Sequence, residues 1–355
     1  MNSSSRRSNS TDDKKEWVKS LARFSIPDAR KSLWQLANSL IPYLALWGLM
    51  IYSMHISYWL VLALAVPAAG FMVRLFIIFH DCGHGAFFKS ARANTVVGYI
   101  TGILTLTPYH QWRYQHALHH GTAGNLDRRG LGDVWTMTVE EYRNASRWTR
   151  FTYRIYRHPF FMLVFGPLFM FIIVNRLPNR NQKRREKLSV LYTNLALLAV
   201  IIAFSLAFGL KTFLLIQLPV LLMAGSAGIW LFYVQHQFED VYWERGDRWD
   251  FVAAAIEGSS FYKLPKLLQW FSGNIGFHHI HHLNSRIPNY RLAECQNEVE
   301  VFQQVKPITL KTSLASLRYR LYDERTKRLV DFRALKQTQP NRRRSAMGQV
   351  VSPTL

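Results

Sequence analysis

Residues 56–84 read ISYWLVLALAVPAAGFMVRLFIIFHDCGH. The apolar part, 56–79, is long enough to cross a hydrocarbon core, which takes roughly 20 helical residues. His80 and His84 follow at once, four residues apart, so a helix carries both on one face. Working outward, a second apolar stretch, 33–54, precedes the first with a minimal connection, and the two form a transmembrane hairpin. Stretches 188–210 and 212–235 repeat the arrangement, and His236 closes the last of them. Two shorter apolar stretches remain. Residues 95–107 are too few to span and contain Gly98 and Gly102; residues 160–174 contain Gly166 and Pro167 and have basic flanks on both sides, Arg154 and Arg157 before, Arg176 and Arg180 after. Both read as re-entrant or interfacial segments. The expected fold is an all-α integral membrane protein of four transmembrane helices in two hairpins. A helical cap from 80–187 and 236–335 holds the histidines.

The chain has 355 residues and a formal charge of +22, with 49% hydrophobic residues. Its near-zero mean hydropathy averages long apolar runs with basic, aromatic-rich segments. The charge invites a nucleic-acid reading, but no nucleic-acid motif accompanies it. The basic residues lie beside apolar spans, as in 176–187, where positive-inside topology and anionic lipid put them. The outer connectors carry few charges, so the opposite ends, both termini and every histidine cluster are expected on the cytoplasmic side. Cys82 and Cys295 are too few for a disulfide framework and fit a reducing compartment. Residues 1–16 contain no apolar core of a signal peptide, and the Arg6–Arg7 pair lacks the apolar segment that should follow it. Residues 1–20 are expected as a polar tail, 21–335 as one domain and 336–355 as a disordered basic tail.

The histidines carry the chemistry. HDCGH (80–84) places His80 and His84 at i and i+4; HALHH (116–120) offers His116, His119 and His120; HHIHH (278–282) offers His278, His281 and His282. His279 falls on the other face. His55, His110 and His158 read as ordinary surface or core residues. Ionisable groups at the ends of spans are usually functional. Packing so many imidazoles together leaves polar nitrogens unsatisfied unless a metal takes them. The number of donors exceeds one zinc site and suits two five- or six-coordinate ions, though imidazole also serves zinc, copper and nickel. No nucleophile elbow and no phosphate loop competes with this reading.

The three boxes resemble those of membrane fatty acid desaturases. The likeness extends to LDRRG (126–130) with Gly132 and Asp133, to WLFYVQH (230–236) and to GSSFYKLPKLLQW (258–270), which resemble bacterial acyl-lipid desaturases of the Bacillus Δ5 type. It runs from about residue 20 to 335. The resemblance implies a non-haem di-iron centre held by His80, His84, His116, His119, His120, His278, His281 and His282, with His236 as the additional ligand. It implies O2-dependent desaturation of acyl chains of membrane lipids in a bacterial cytoplasmic membrane. Acyl-CoA-type desaturases carry an Asn one turn before the additional histidine; here Phe232 stands there, which puts a water-mediated ligand in doubt. Asn274, Asp81, Asp133 and Glu239, with Asp240, are candidates to support the ligands from behind. Trp112, Tyr114, Trp135, Trp243, Trp249 and Trp270 read as an interfacial belt, some lining an acyl channel or buried in the cap.

No His-Pro-Gly-Gly motif of a fused cytochrome b5 appears, only His158-Pro159-Phe160. Electrons are therefore expected from a separate ferredoxin- or flavodoxin-like carrier, whose acidic surface the basic face suits. Two other readings fit part of the pattern. One is a hydroxylase or ketolase of a lipophilic substrate on the same scaffold. The other is a histidine-rich membrane metal transporter or sensor, which would want ligands along a path inside the spans. A soluble carboxylate-rich desaturase would need Glu-x-x-His pairs, and the sequence has none.

Overall fold

Capping residues decide where the long helices begin and end. In the computed structural model, which describes residues 19–130 and 132–337, helix α1 (Ala29–Ser53) starts at Asp28. The Asp28 carboxylate accepts from the backbone N–H of Arg30 at 2.9 Å and of Lys31 at 3.2 Å, two donors that the first turn leaves free. Ser57 does the same for α2 (Tyr58–His84), accepting from Trp59 N–H. Gly85 ends α2 at φ 67°, a left-handed conformation that costs a residue with a Cβ about 1–2 kcal/mol. The turn is closed by Gly85 N–H on Cys82 O at 3.0 Å and Ala86 N–H on Asp81 O at 2.9 Å. This closure holds His80 and His84 in the last helical turn, beyond the expected end of the span at residue 79.

Helix α3 (Ala91–Leu104) is too short to span, as its length in sequence required. Helix α4 (Tyr109–Thr122) carries the second histidine box. Helix α5 (Arg147–Tyr156) is followed by the segment Phe161–Arg176, bent by 65° from it. That segment winds in wide π turns on both sides of Gly166–Leu168. Helices α6 (Arg184–Phe208) and α7 (Leu210–His236) meet at Gly209 alone, at φ 87°. Then come α8 (Phe251–Ile256), α9 (Lys266–Phe271), α10 (His278–Leu283) with the third box, and α11 (Asn289–Glu298).

Among the described residues, four helices, α1, α2, α6 and α7, are long and apolar enough to cross a membrane; α5 with the bent segment would be a fifth if the pair were one span. Helix α2 is the central one. Its Ala65, Ala68, Ala69 and Met72 pack with Ile216, Val220, Leu221 and Ala224 of α7 and with Tyr43 and Met50 of α1. The alanines let the helix axes approach closely, which is how helices associate where lipid removes the hydrophobic drive. Outward-facing side chains such as Trp59 (80% exposed) and Leu206 (85% exposed) present the apolar surface that lipid solvates. Helices α2 and α7 end in histidines that meet one another. Their connectors to α1 and α6 therefore lie at the far side of the bundle from the histidines.

The cap also contains two small sheets that the sequence reading did not anticipate. β1 (Met137–Thr138) pairs in parallel with β4 (Leu321–Asp323), which pairs antiparallel with β5 (Arg328–Val330). β2 (Phe261–Lys263) pairs in parallel with β3 (Pro307–Thr309). Strands of two or three residues are too short to show a period in sequence. The tails expected at 1–20 and 336–355 lie outside the described residues, apart from 19–20 and 336–337.

A buried cation joins cap to bundle. Arg157 is 1% exposed and donates to Gln237 Oε1 at 2.7 Å, Tyr319 O at 3.0 Å, and Thr136 Oγ1, Trp135 O and Tyr233 Oη at 3.3 Å. All five acceptors are neutral, and they come from the end of α7, from the loop before β1 and from the chain before β4. Arg157→Ala strands these acceptors and is expected to cost about 3 kcal/mol. A lowered apparent Tm of the purified protein in detergent, with Arg157→Lys intermediate, checks this.

Candidate metal centre

Nine imidazoles from four helices separate into two groups. His80, His84, His116, His120 and His281 form one; His119, His236, His278 and His282 form the other. Within each group, one nitrogen per residue lies within 4.8 Å of every other. Helix geometry explains the division. On α4, His116 and His120 are one turn apart and serve the five-histidine group, while His119 between them serves the four-histidine group. On α10 the pattern is reversed: His278 and His282 go to the four-histidine group and His281 to the other. Helices α2 and α7 each feed one group from their last turns. The interleaved spacing of the boxes is thus a device for building two neighbouring sites from two shared helices.

The nitrogens approach more closely, and more often, than hydrogen bonding allows. His119 Nε2 is 3.1 Å from His236 Nε2, which is 3.0 Å from His278 Nε2, which is 3.1 Å from His282 Nε2. A neutral imidazole nitrogen has either one proton to give or one lone pair to accept with. Four such atoms in a row satisfy at most two of three contacts. In the five-histidine group, His120 Nε2 lies 3.1 Å from His116 Nε2 and 3.0 Å from His281 Nε2, and only one of these contacts can be a hydrogen bond. His84 Nε2 is buried without a hydrogen-bond partner among the described residues. Two nitrogens bound at right angles to one first-row ion, each about 2.1 Å from it, stand about 3 Å apart. The residues present therefore fit two metal ions. Burial first, and then the charge of neighbouring imidazoles, holds His116, His120, His278, His281 and His282 well below the usual histidine range. Their lone pairs are accordingly free at neutral pH.

Behind the rings sit two carboxylates. Asp81 Oδ1 meets His80 Nδ1 at 3.1 Å, and its Oδ2 accepts from Asn289 N at 2.7 Å and Asn289 Nδ2 at 2.8 Å. Asp133 Oδ1 meets His119 Nδ1 at 2.5 Å. The Gly258 carbonyl stands 3.4 Å from His236 Nδ1. Such partners fix ring orientation and raise ligand basicity. The other candidate carboxylates are elsewhere. Glu239 is exposed and accepts from Tyr319 Oη, and Asp240 pairs with Arg328 at the surface, because the chain turns toward β5 on leaving α7. Asn274 sits in a left-handed turn rather than on a helix, and its amide donates to Asn289 O. Phe232 lays its ring 5.2 Å from the rings of His119 and His236, so an apolar face abuts the four-histidine group. His279 points away from both groups, against Phe261 and Phe302. His110 accepts from Arg185, and burial followed by that charge lowers it to about 4. Asn289 was invisible to sequence reasoning: it lies 208 residues from the Asp81 it serves.

Several of the aromatics read as an interfacial belt, channel lining or cap packing have defined contacts. Trp112 stacks on His116 at 4.3 Å and Trp270 lies under the Arg74 guanidinium, while Trp243 is buried in the cap. Between α2, α7 and the bent segment runs a cavity of about 270 Å³, lined mostly by apolar side chains. His80 and His116 of one group and His278 of the other open onto it.

A family model described as fatty acid desaturase matches residues 57–307 of this chain. The chain belongs to the fatty acid desaturase family. This membrane desaturase is 52% identical over 322 residues to a protein of Bacillus subtilis named fatty acid desaturase, covering 91% of this chain and 92% of that one. It is 30% identical over 281 residues to an sn-2 acyl-lipid omega-3 desaturase (ferredoxin) of Helianthus annuus, covering 74% of this chain and 59% of that protein. It is 29% identical over 246 residues to an sn-1 acyl-lipid omega-3 desaturase (ferredoxin) of Synechocystis, covering 64% and 63%. The chain thus spans about three fifths of the length of those last two relatives. The family makes the chain an oxidoreductase.

Asn289→Ala removes the side-chain donor from the buried Asp81 carboxylate and leaves it only the backbone N–H of position 289. Metal affinity of the purified desaturase is expected to fall roughly 10–100-fold. Glu239→Gln is expected to leave it unchanged; titration with ferrous ion followed by elemental analysis measures both.

Proposed function

We propose that this desaturase inserts a double bond, at Δ5, into acyl chains of membrane phospholipids, using O2 and a di-iron centre. The carrying observation is the cavity: an apolar space between spans onto which histidines of both groups open. The five-histidine group would hold one iron ion and the four-histidine group, with His236, the other, each short of six donors. Iron held there supplies, with O2, an oxidant able to take hydrogen from an unactivated methylene, which no side chain can do.

The rest is the work of the chain itself. The walls from α2 and α7 hold an acyl chain extended beside the histidines, so one C–C bond is presented repeatedly to the same place. The ring of Phe232 and the apolar walls keep water from the reacting carbons. Asp81 and Asp133 hold His80 and His119 in orientation through their Nδ1 atoms. Overall, –CH2–CH2–, O2, two electrons and two protons give –CH=CH– and two waters. The electrons come from a separate ferredoxin- or flavodoxin-like carrier, a reading supported by the word ferredoxin in the names of two relatives. The Δ5 position rests on the likeness of the segments at 126–133, 230–236 and 258–270 to the Bacillus type. The basic segments next to the apolar spans support a cytoplasmic side for the histidine end and for both termini.

Expression in a bacterium without its own desaturase tests the reading. New monounsaturated acyl chains with the double bond at carbon 5, located by mass spectrometry of phospholipids, are the expected result. His119→Ala is expected to abolish them. Hydroxylated acyl chains with no new unsaturation would move the chain to the hydroxylase reading.

A further inference from the structure

One wall of the cavity is a stripe of α7 that includes Ala224, Gly225, Gly228, Phe232 and Gln235. Gly228, Phe232 and His236 succeed one another at four-residue intervals and share a face. Gly228 is therefore about 12 Å along the helix axis from the His236 end of the stripe. Across the cavity stand Met72, Val73 and Phe76 of α2.

The two glycines of the stripe differ in kind. A Cβ at Gly225 would lie 2.7 Å from Pro167 Cβ and 3.3 Å from the Phe171 ring. Gly225 is a packing glycine, needed for the bent segment to seat on α7. A Cβ at Gly228 would meet nothing within 4 Å, although the residue lines the cavity. A glycine inside a helix costs roughly 0.5–1 kcal/mol relative to alanine. Close packing against α7 offsets that cost at Gly225 and offers no such reason at Gly228. The absent side chain at Gly228 leaves open space in the cavity wall, about two helical turns from His236.

We propose that Gly228 is a specificity-determining residue: it sets how long an acyl chain the cavity accepts beyond the carbons that react. The inference rests on the desaturase reading above. A side chain at position 228 closes the space at about 12 Å of depth. Acyl chains whose far end passes that depth are excluded, and shorter ones still fit.

The test is a graded series, Gly228→Ala, Gly228→Val and Gly228→Leu, with Gly48→Leu as the control. Gly48 is exposed on α1, also has nothing within 4 Å of a built Cβ, and lies outside the cavity lining. Two measurements are made. One is the chain-length distribution of unsaturated products in the desaturase-free host. The other is displacement of a fluorescent fatty acid from the purified protein by saturated fatty acids of graded length, which needs no turnover. Affinity for the longest chains is expected to fall roughly tenfold for every two methylenes excluded, in the order Ala, Val, Leu. Affinity for the shortest chains, and the whole Gly48→Leu profile, should stay unchanged. A Gly228→Leu profile that matches the unsubstituted protein overturns the inference, as does an equal loss at every chain length with iron content intact. If Leu prevents folding, Ala and Val decide. If the unsubstituted protein makes no double bond while the displacement profile still shortens with side-chain size, the desaturase reading fails and the role of Gly228 stands.

Discussion

A ring nitrogen can share one proton or one lone pair, and this single capacity governs the molecule. Nine imidazoles, six buried and three half-buried, stand tip to tip and make more contacts than their protons can satisfy. Burying them without a shared cation would cost several unsatisfied polar groups. The helices that carry the imidazoles are held from outside the site. Gly85 locks the last turn of α2, Arg157 ties the end of α7 to the cap, and Asn289 anchors the carboxylate behind His80.

The anchoring reaches into the first span. Asn289 not only donates to Asp81 but accepts from Gln35 of α1 at 2.8 Å. Ser39, one turn further along α1, accepts from Arg74 Nε at 3.1 Å, and Arg74 lies over Trp270 of α9. A buried polar stripe on α1 thus joins α2, α9 and α11. Buried hydrogen bonds of this kind hold helices in one rotational setting where apolar contacts with lipid-like neighbours would tolerate several. The first span does more than anchor the chain in lipid.

Much of this was legible in the sequence. Spans of about 20 apolar residues and histidines at i, i+3 and i+4 depend only on local period, and the four long helices and the placement of box histidines follow from it. His236 was readable because a span ended on it. Asp81 and Asp133 lie near boxes in sequence and also in space. Glu239 lies as near in sequence to His236, yet a change of direction at Gln237 carries it to the surface; no periodic signal marks such a turn. Asn289 and Arg157 were missed for a related reason. Their roles depend on what stands opposite them, and the partners are distant in sequence.

The sharing of α4 and α10 between both histidine groups has a mechanical consequence. On either helix, neighbouring positions differ by about 100° of rotation. Turning α4 to bring His119 closer to its group withdraws His116 and His120 from theirs, and α10 behaves in the opposite sense. The two helices act as meshed gears with one setting that suits both sites. A rotation of either helix changes both donor sets at once, so the two histidine groups are set together as one unit.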